Sequence, residues 1–337
     1  MPDLVPLVET FRGGTRECVY FGALAVADAQ GRLLAAAGDP HWVTFTRSTL
    51  KPLQALPFVE GGGVRHFGLS SANLALLCAS HNGEPMHVQQ VDQILSKAGV
   101  EYKRLQCGCH VPYFAELGAW PPPAPGSYDE RHHNCSGKHS GFLAYCVQHG
   151  QPLESYLAPE HPLQQAIRAA VAEVVGLAPA QLAMGIDGCS APNYAMPLAH
   201  LARGFARLAS GERDARFGAS FAALADAMTA HPELGSGTGR NDAAFMHAGR
   251  GDWVTKAGAE GVQVVASRSR GQALAIKVSD GNKLALYAAT VEALDQLGWL
   301  DAQQREALAP WRNAVIRSIK GAPVGERRAV LRLSAAS

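Results

Sequence analysis

A serine and a lysine three residues apart could act as a nucleophile and its base. Ser48-Thr49-Leu50-Lys51 lies within the run 44–57, and a helix starting there would place Ser48 and Lys51 on one face. A lysine whose pKa is lowered by burial or by nearby positive charge can remove a serine proton. Backbone N–H groups at the helix start could stabilise the oxyanion. Alone, the pattern is a weak signal, and it is more typical of an ordinary serine N-cap followed by a surface lysine.

Three later regions are also rich in reactive side chains. They are Ser80-His81-Asn82-Gly83-Glu84, the two segments 131–139 and 185–192, and Lys256-Ala257-Gly258. The first follows an apolar helix, and it could also be an ordinary polar helix end. The second places the thiols of Cys135 and Cys189 near His and Asp side chains, a composition that suits zinc. Its spacing matches no standard zinc motif, so two buried thiols remain the alternative. Lys256 could tune a nucleophile electrostatically or lie in a surface turn.

The composition limits the classes of partner and the cellular location. The 337 residues carry a net charge of +1, which predicts neither nucleic-acid nor membrane-surface binding. The sequence shows neither a long apolar span nor a basic-then-apolar N-terminus, so we do not expect secretion by a signal peptide. Seven cysteines, an odd number without an export signal, indicate reduced thiols. We therefore expect a cytoplasmic protein.

The elements that must position these groups follow from hydrophobic patterning. Alternating or apolar runs predict a sheet from about 4–38 and 255–280, with a helical region of about 48–250 between them. Amphipathic patterns predict helices at 85–98, 163–175 and 193–208, and a Pro- and Gly-rich loop lies at 118–128. Strands from both ends of the chain indicate one antiparallel sheet. No linker or repeat divides the chain, so we expect a single domain over residues 1–337.

The order of the reactive segments resembles that of known serine hydrolases. S-x-x-K, S-x-N and K-x-G occur in the order found in serine β-lactamases, although the spacing differs. The sequence more closely resembles the Rhizobium etli-type L-asparaginases, also called class 3 asparaginases or the asparaginase II family. This resemblance covers nearly the whole chain and is carried by 46–52, 80–84, 133–139, 185–189 and 256–261. It implies a mixed α/β (α+β) fold like those of serine β-lactamases and glutaminases, with an antiparallel sheet flanked by helices.

The resemblance also implies an activity and its catalytic residues. The substrate is expected to be L-asparagine, hydrolysed to L-aspartate and ammonia by a homodimer. Ser48 with Lys51 would form the primary pair, and Ser80 with Lys256 the second. The resemblance leaves open which lysine begins the reaction as a neutral amine.

A metal site and a substrate pocket complete the expected machinery. The resemblance implies one zinc ion per chain, bound by Cys135, Lys138 and Cys189, with the lysine as a neutral amine. Substrate-binding residues are expected to be Arg47, Asn82, Glu84, His139 and Asp187. Of these, Arg47 suits the substrate carboxylate, whereas Asp187 and Glu84 suit its ammonium group.

Three other functions fit parts of the sequence. The first is a serine amidohydrolase acting on another amide, such as a glutaminase or a β-lactamase-like enzyme. The second is a zinc hydrolase that activates water at Cys135 and Cys189. The third is a catalytically silent protein that binds zinc or an amino acid.

Overall fold

A large antiparallel sheet lies at the centre of this computed structural model, which describes residues 2–116, 124, 126–312 and 314–336. The strands are β1 Val5–Arg12, β2 Thr15–Asp28, β3 Leu33–Ala37, β4 Val43–Phe45, β5 Ala183–Ile186, β6 Pro192–Pro197, β7 Trp253–Gly258, β8 Val262–Ser267, β9 Gln272–Val278, β10 Val315–Arg317, β11 Pro323–Ala329 and β12 Ser334–Ala335. The large sheet has the order β10-β11-β1-β2-β9-β8-β7, with β3 paired to β2 and β12 to β3.

Most helices lie between the two halves of this sheet in sequence. They are α1 Lys51–Glu60, α2 Gly63–His66, α3 Ser71–Leu77, α4 Pro85–Ala98, α5 Tyr113–Glu116, α6 Ser136–Gln148, α7 Pro162–Val175, α8 Leu198–Ser210, α9 Gly218–Ala230, α10 Pro232–Gly235, α11 Asn241–Gly249, α12 Lys283–Gln296 and α13 Ala302–Leu308. Short 3-10 turns are Arg47–Leu50, Tyr102–Arg104, Glu130–His132, Pro179–Gln181, Gly211–Arg213 and Ala309–Arg312. None of these helices has both the length and the apolar character that crossing a bilayer requires.

The predicted sheet from both ends of the chain is confirmed. Strands β1, β2 and β3 come from the first part, and β7, β8 and β9 from the second; each neighbouring pair is antiparallel. The predicted helices at 85–98 and 163–175 are also confirmed as α4 and α7. The predicted loop at 118–128 lies largely outside the described residues.

The sheet separates two hydrophobic layers because successive strand residues point to opposite faces. On β2, Ala23 and Ala25 face the helical region, where their small side chains let α8 approach. Leu24 and Val26 face the other layer, which contains α12. The helical region, which carries the predicted reactive segments other than Lys256-Ala257-Gly258, is therefore packed on one face of the sheet.

A second, three-stranded sheet corrects the prediction of a helix at 193–208. Its order is β4-β6-β5, and β6 covers the first residues of the predicted helix. Pro197 has no N–H to donate and ends this strand, so α8 begins only at Leu198. The helical region of 48–250 thus contains two strands that the sequence pattern does not predict.

Candidate active site

Ser48 and Lys51 lie where a 3-10 turn leads into a helix. The turn Arg47–Leu50 precedes α1, which begins at Lys51 and has Pro52 in its first turn. Residues i and i+3 of a 3-10 turn lie above one another, so the two side chains share a face, as predicted. Lys51 is fully buried and Ser48 half-buried.

Lys51 contacts the second predicted serine. Its Nζ lies 2.9 Å from Ser80 Oγ, 2.6 Å from the Ala79 carbonyl oxygen and 3.2 Å from the Asn134 carbonyl oxygen. Among the residues that the structure describes, no hydrogen bond joins this amine to the Ser48 hydroxyl. The hydrogen-bonded pair is therefore Lys51 with Ser80, and Ser48 lies one turn away on the face of Lys51.

The surroundings of Lys51 favour its neutral form. Burial lowers the pKa of Lys51, the Cys135 sulfur opposes this shift, and the positive charge of Lys256 adds to it. Lys138 acts in the same direction as Lys256. A buried amine of this kind is suited to accept a proton from a hydroxyl.

Strand β7 brings Lys256 to the same region. A Cβ on Gly258 would lie 2.9 Å from the Thr46 carbonyl oxygen and 3.3 Å from the Ser48 nitrogen, so glycine is needed for this close approach. Lys256 lies two residues earlier and shares this strand face. Its amine is paired with Asp242 Oδ2 at 3.0 Å. Within the described part of the chain no hydrogen bond joins Lys256 to Ser80, and the predicted second pair stays a prediction.

Asn82 and Glu84 form a closed hydrogen-bond network. Asn82 Nδ2 donates to Glu84 Oε1 at 2.9 Å, and Asn82 Oδ1 accepts from Arg240 at 3.1 Å. Both Glu84 carboxylate oxygens accept from Thr238, from its N–H and its hydroxyl. Burial acts to raise the pKa of Glu84, but these hydrogen bonds hold it below its usual range. The network fastens the 80–84 segment to the glycine-rich segment before α11.

Arg47 and Asp187 are paired with each other. Arg47 Nε donates to Asp187 Oδ1 at 2.8 Å, and Arg47 has a positive φ of 49°. Asn193 clamps this backbone, since its Oδ1 accepts from the Arg47 N–H and its Nδ2 donates to the Arg47 carbonyl, both at 3.0 Å. The pair presents one cationic and one anionic group directly beside Ser48. Such a pair suits a zwitterionic ligand, because the ligand's carboxylate can bind the Arg47 guanidinium and its ammonium group can bind the Asp187 carboxylate.

Cys135, Lys138 and Cys189 lie together and are buried. Cys135 precedes α6, Lys138 is in its first turn, and Cys189 follows β5. Lys138 Nζ lies 3.1 Å from the Cys189 sulfur. The hydrogen bond from Cys135 lowers the pKa of the Cys189 thiol strongly and raises that of Cys135.

His139 borders the same cluster. Its Nδ1 lies 2.7 Å from the Tyr156 hydroxyl, and its ring also interacts with the Cys189 sulfur. Burial lowers the pKa of His139, and the Cys189 sulfur opposes this shift.

The cluster fits a zinc ion in its donor chemistry. Two sulfurs and an amine are ligands of the soft-to-borderline type that zinc accepts. No group of three or more His, Cys, Asp or Glu residues suited to a metal occurs in the described ranges. A metal here therefore depends on the amine of Lys138 as a ligand.

A cavity of about 760 Å³ lies elsewhere, beside the 80–84 segment and α4. Its lining includes Gly83, Pro85, Phe114 and His132. Among its described lining residues there is none of the predicted catalytic residues.

Two residues at the site were missed by sequence reasoning. Asn193 lies in a segment that the sequence pattern predicts as helix, and this prediction gives no sign of its hydrogen bonds to the Arg47 backbone. Asp242 follows the glycine-rich segment 234–239 by a few residues. A buried carboxylate opposite Lys256 is suggested by that lysine's position in an apolar strand, since buried charges are paired.

Comparison with known proteins identifies the family of the chain. The model of the L-asparaginase II family matches residues 8–329, so the chain belongs to this family and is an amidohydrolase of the L-asparaginase type. The predicted family is thereby confirmed. A solved structure of a β-lactamase from Mycobacterium bovis is similar, with 18% identity, a TM-score of 0.41, and coverage of 82% of this chain and 94% of that chain. No curated protein matches the chain.

Proposed function

We propose that this protein hydrolyses L-asparagine to L-aspartate and ammonia through an acyl-enzyme on Ser48. The observation that carries the proposal is the environment of Lys51, which is buried beside Ser48 and surrounded by neutral acceptors. A neutral lysine amine has two N–H groups and one lone pair. If the two N–H groups bind the Ala79 and Asn134 carbonyl oxygens, the lone pair is left for a serine hydroxyl.

The chain's own groups can carry each proton. Lys51 accepts the Ser48 proton as the serine oxygen attacks the side-chain amide carbon, and backbone N–H groups near Ser48 hold the oxyanion. Lys51 then passes its proton to Ser80, 2.9 Å away, while Ser80 donates its own to the leaving nitrogen. Ammonia departs, and water hydrolyses the aspartyl ester. Lys256 supplies fixed positive charge near this path.

The substrate's charged ends suit the Arg47–Asp187 pair. The α-carboxylate would bind Arg47 and the α-ammonium Asp187, since each ligand group replaces the protein group it resembles in charge. Asn82 and Glu84 are hydrogen-bonded to Arg240 and Thr238, respectively, and their oxygens can accept further hydrogen bonds, so they stay candidates for binding the substrate.

We also propose one zinc ion per chain, held by Cys135, Lys138 and Cys189. When bound, the ion supplies positive charge that orients the substrate. The protons on Cys135 and Lys138 must leave for these residues to bind it. His139, whose ring interacts with Cys189, would line the same pocket. The homodimer, the cytoplasmic location and the single domain stay predictions.

The test is a coupled ammonia-release assay on the parent and on Ser48→Ala. We expect asparagine turnover in the parent and a loss of at least about a thousandfold in the variant, because a catalytic nucleophile is removed. Ser210→Ala is the control, since that hydroxyl donates to the Ala206 carbonyl oxygen in α8 and should leave turnover unchanged. Roughly one per cent or more of parental activity in Ser48→Ala would reject the nucleophile.

The same assay separates the alternatives. Turnover of glutamine, or acylation of Ser48 by a penicillin, would indicate a serine amidohydrolase of another specificity. Activity that survives Ser48→Ala but is lost on chelation would indicate a zinc hydrolase. A thermal shift with asparagine but no ammonia would indicate a binding protein.

A further inference from the structure

The two lysines of the site have different partners. Lys51 contacts one hydroxyl and two carbonyl oxygens, all uncharged. Lys256 instead lies 3.0 Å from the carboxylate of Asp242. An amine between neutral acceptors can lose its proton, whereas a carboxylate stabilises an ammonium. The structure thus distinguishes two lysines that the sequence leaves equivalent.

The Asp242–Lys256 pair is deeply buried and tightly held. The two side chains are 3% and 2% exposed, so water does not screen the pair. The same Asp242 oxygen also accepts the Ala257 N–H at 3.0 Å, and its other oxygen accepts from Asn241 at 3.3 Å. Asp242 therefore fixes both the amine of Lys256 and the backbone of β7 beside it.

The direction of β7 links this pair to the reacting groups. Gly258, two residues beyond Lys256, lies against the Ser48 nitrogen. A shift of Lys256 along or across the strand would therefore move the wall behind the predicted nucleophile. Its charge also acts on Lys51, the predicted base.

We propose that Asp242 is a positioning residue that holds the amine of Lys256 in a buried ion pair, so that Lys51, whose hydrogen-bond partners are all uncharged, alone serves as the base. This inference rests on the proposed asparaginase function. Asp242 acts through Lys256 and does not contact the substrate. Removing the carboxylate leaves a buried lysine without its counter-charge, and such a lysine loses its proton or moves toward water.

The test is a double-mutant cycle of Asp242→Asn and Lys256→Met, with kcat and KM measured on asparagine. We expect Asp242→Asn to lower kcat by about ten- to a hundredfold, with KM changed less than about threefold. In the Lys256→Met background, Asp242→Asn should change kcat less than about threefold, because the residue that it positions is gone. Asp242→Glu should recover part of the lost kcat.

Controls separate this role from a structural one. Asp214→Asn breaks a different ion pair, the partly buried one between Asp214 and Arg207 at 2.7 Å. This variant should lower the melting temperature while leaving kcat unchanged. If Asp242→Asn does not fold, the kcat of the double variant can still be compared with that of Lys256→Met, because the double variant leaves no unpaired buried charge. Parental kcat in Asp242→Asn, or equal losses in both backgrounds, would overturn the inference. A parent that releases no ammonia from asparagine would instead overturn the proposed function.

Discussion

Asn193 offers the sharpest test of how the fold holds Ser48. Arg47, the residue before the serine, has a φ of 49°, which costs a non-glycine residue about 1–2 kcal/mol. Three hydrogen bonds of Asn193 oppose this cost. Its Oδ1 accepts from the Arg47 N–H and its Nδ2 donates to the Arg47 carbonyl oxygen, both at 3.0 Å. Its Oδ1 also accepts at 3.3 Å from the Thr46 hydroxyl, which is shared with the Tyr194 carbonyl oxygen. The amide side chain therefore maintains a backbone conformation that the local sequence does not favour.

Asn193→Ala should lower both stability and activity. Three hydrogen bonds at about 0.5–1.5 kcal/mol each amount to roughly 2–4 kcal/mol, of which Arg47 recovers about 1–2 kcal/mol by relaxing to a negative φ. Taking the middle of each range, about 3 kcal/mol lost and about 1.5 kcal/mol recovered, we expect a net loss of about 1.5 kcal/mol in urea unfolding. Relaxation of Arg47 also moves Ser48, and a displacement of about 1 Å can lower kcat about a hundredfold.

Asn73→Ala is the matched control. Asn73 is also buried and makes three side-chain hydrogen bonds, to Ser70, Gln90 and Gln93, but it caps α3 away from Ser48. We expect a comparable loss of stability with parental kcat. Parental kcat in Asn193→Ala, despite the expected loss of stability, would refute the reasoning that the clamp positions the nucleophile.

Three further predictions concern the base, the metal and the packing of α6. Because burial lowers the pKa of Lys51 and the base must be neutral, kcat/KM should fall about tenfold per pH unit below that pKa; a rate flat down to pH 5 would contradict this. Joint Cys135→Ala and Cys189→Ala should remove zinc, measured by elemental analysis, and raise the KM for asparagine; an unchanged KM with no zinc in the parent would exclude the metal's role. Gly137→Ala should destabilise the protein by about 1–3 kcal/mol or more in urea unfolding, because its Cβ would lie 2.3 Å from the Leu76 carbonyl oxygen; unchanged stability would mean that α3 and α6 separate freely.

The inner strands could be predicted from the sequence, but the outer ones could not. Strands β8 and β9 are apolar and almost entirely buried, so their pattern is clear. Strand β11 consists of PVGERRA and is only partly buried at the edge region of the sheet, so no alternation of apolar residues indicates it. Strand β11 is hydrogen-bonded to β1 and β10 on its two sides, but none of its side chains is fully buried, so polar residues are tolerated on both of its faces.

The candidate site likewise has features that the sequence predicts and features that it cannot. The sequence pattern singles out Ser48, Lys51 and Ser80, which the structure brings together. It cannot show that Lys51 bonds to Ser80 or that Asp242 pairs with Lys256, because both contacts depend on how helices and strands pack. Local patterns identify reactive groups, whereas their partners are set by tertiary structure.

The pairing of β2 with β9 also determines when a growing chain can become active. Gly22 pairs with Val278, and Asp28 with Gln272. Strand β2 therefore cannot pair with β9 until the helical region between them has been synthesised. Contacts between such distant segments slow folding and leave strand edges open in the meantime. Lys256 lies on β7, which enters the sheet through the same late hairpins. The pairing of β2 with β9 and the assembly of the Ser48 site therefore occur at the same stage of folding. A chain that stops before β9 should contain Ser48 but lack a working site.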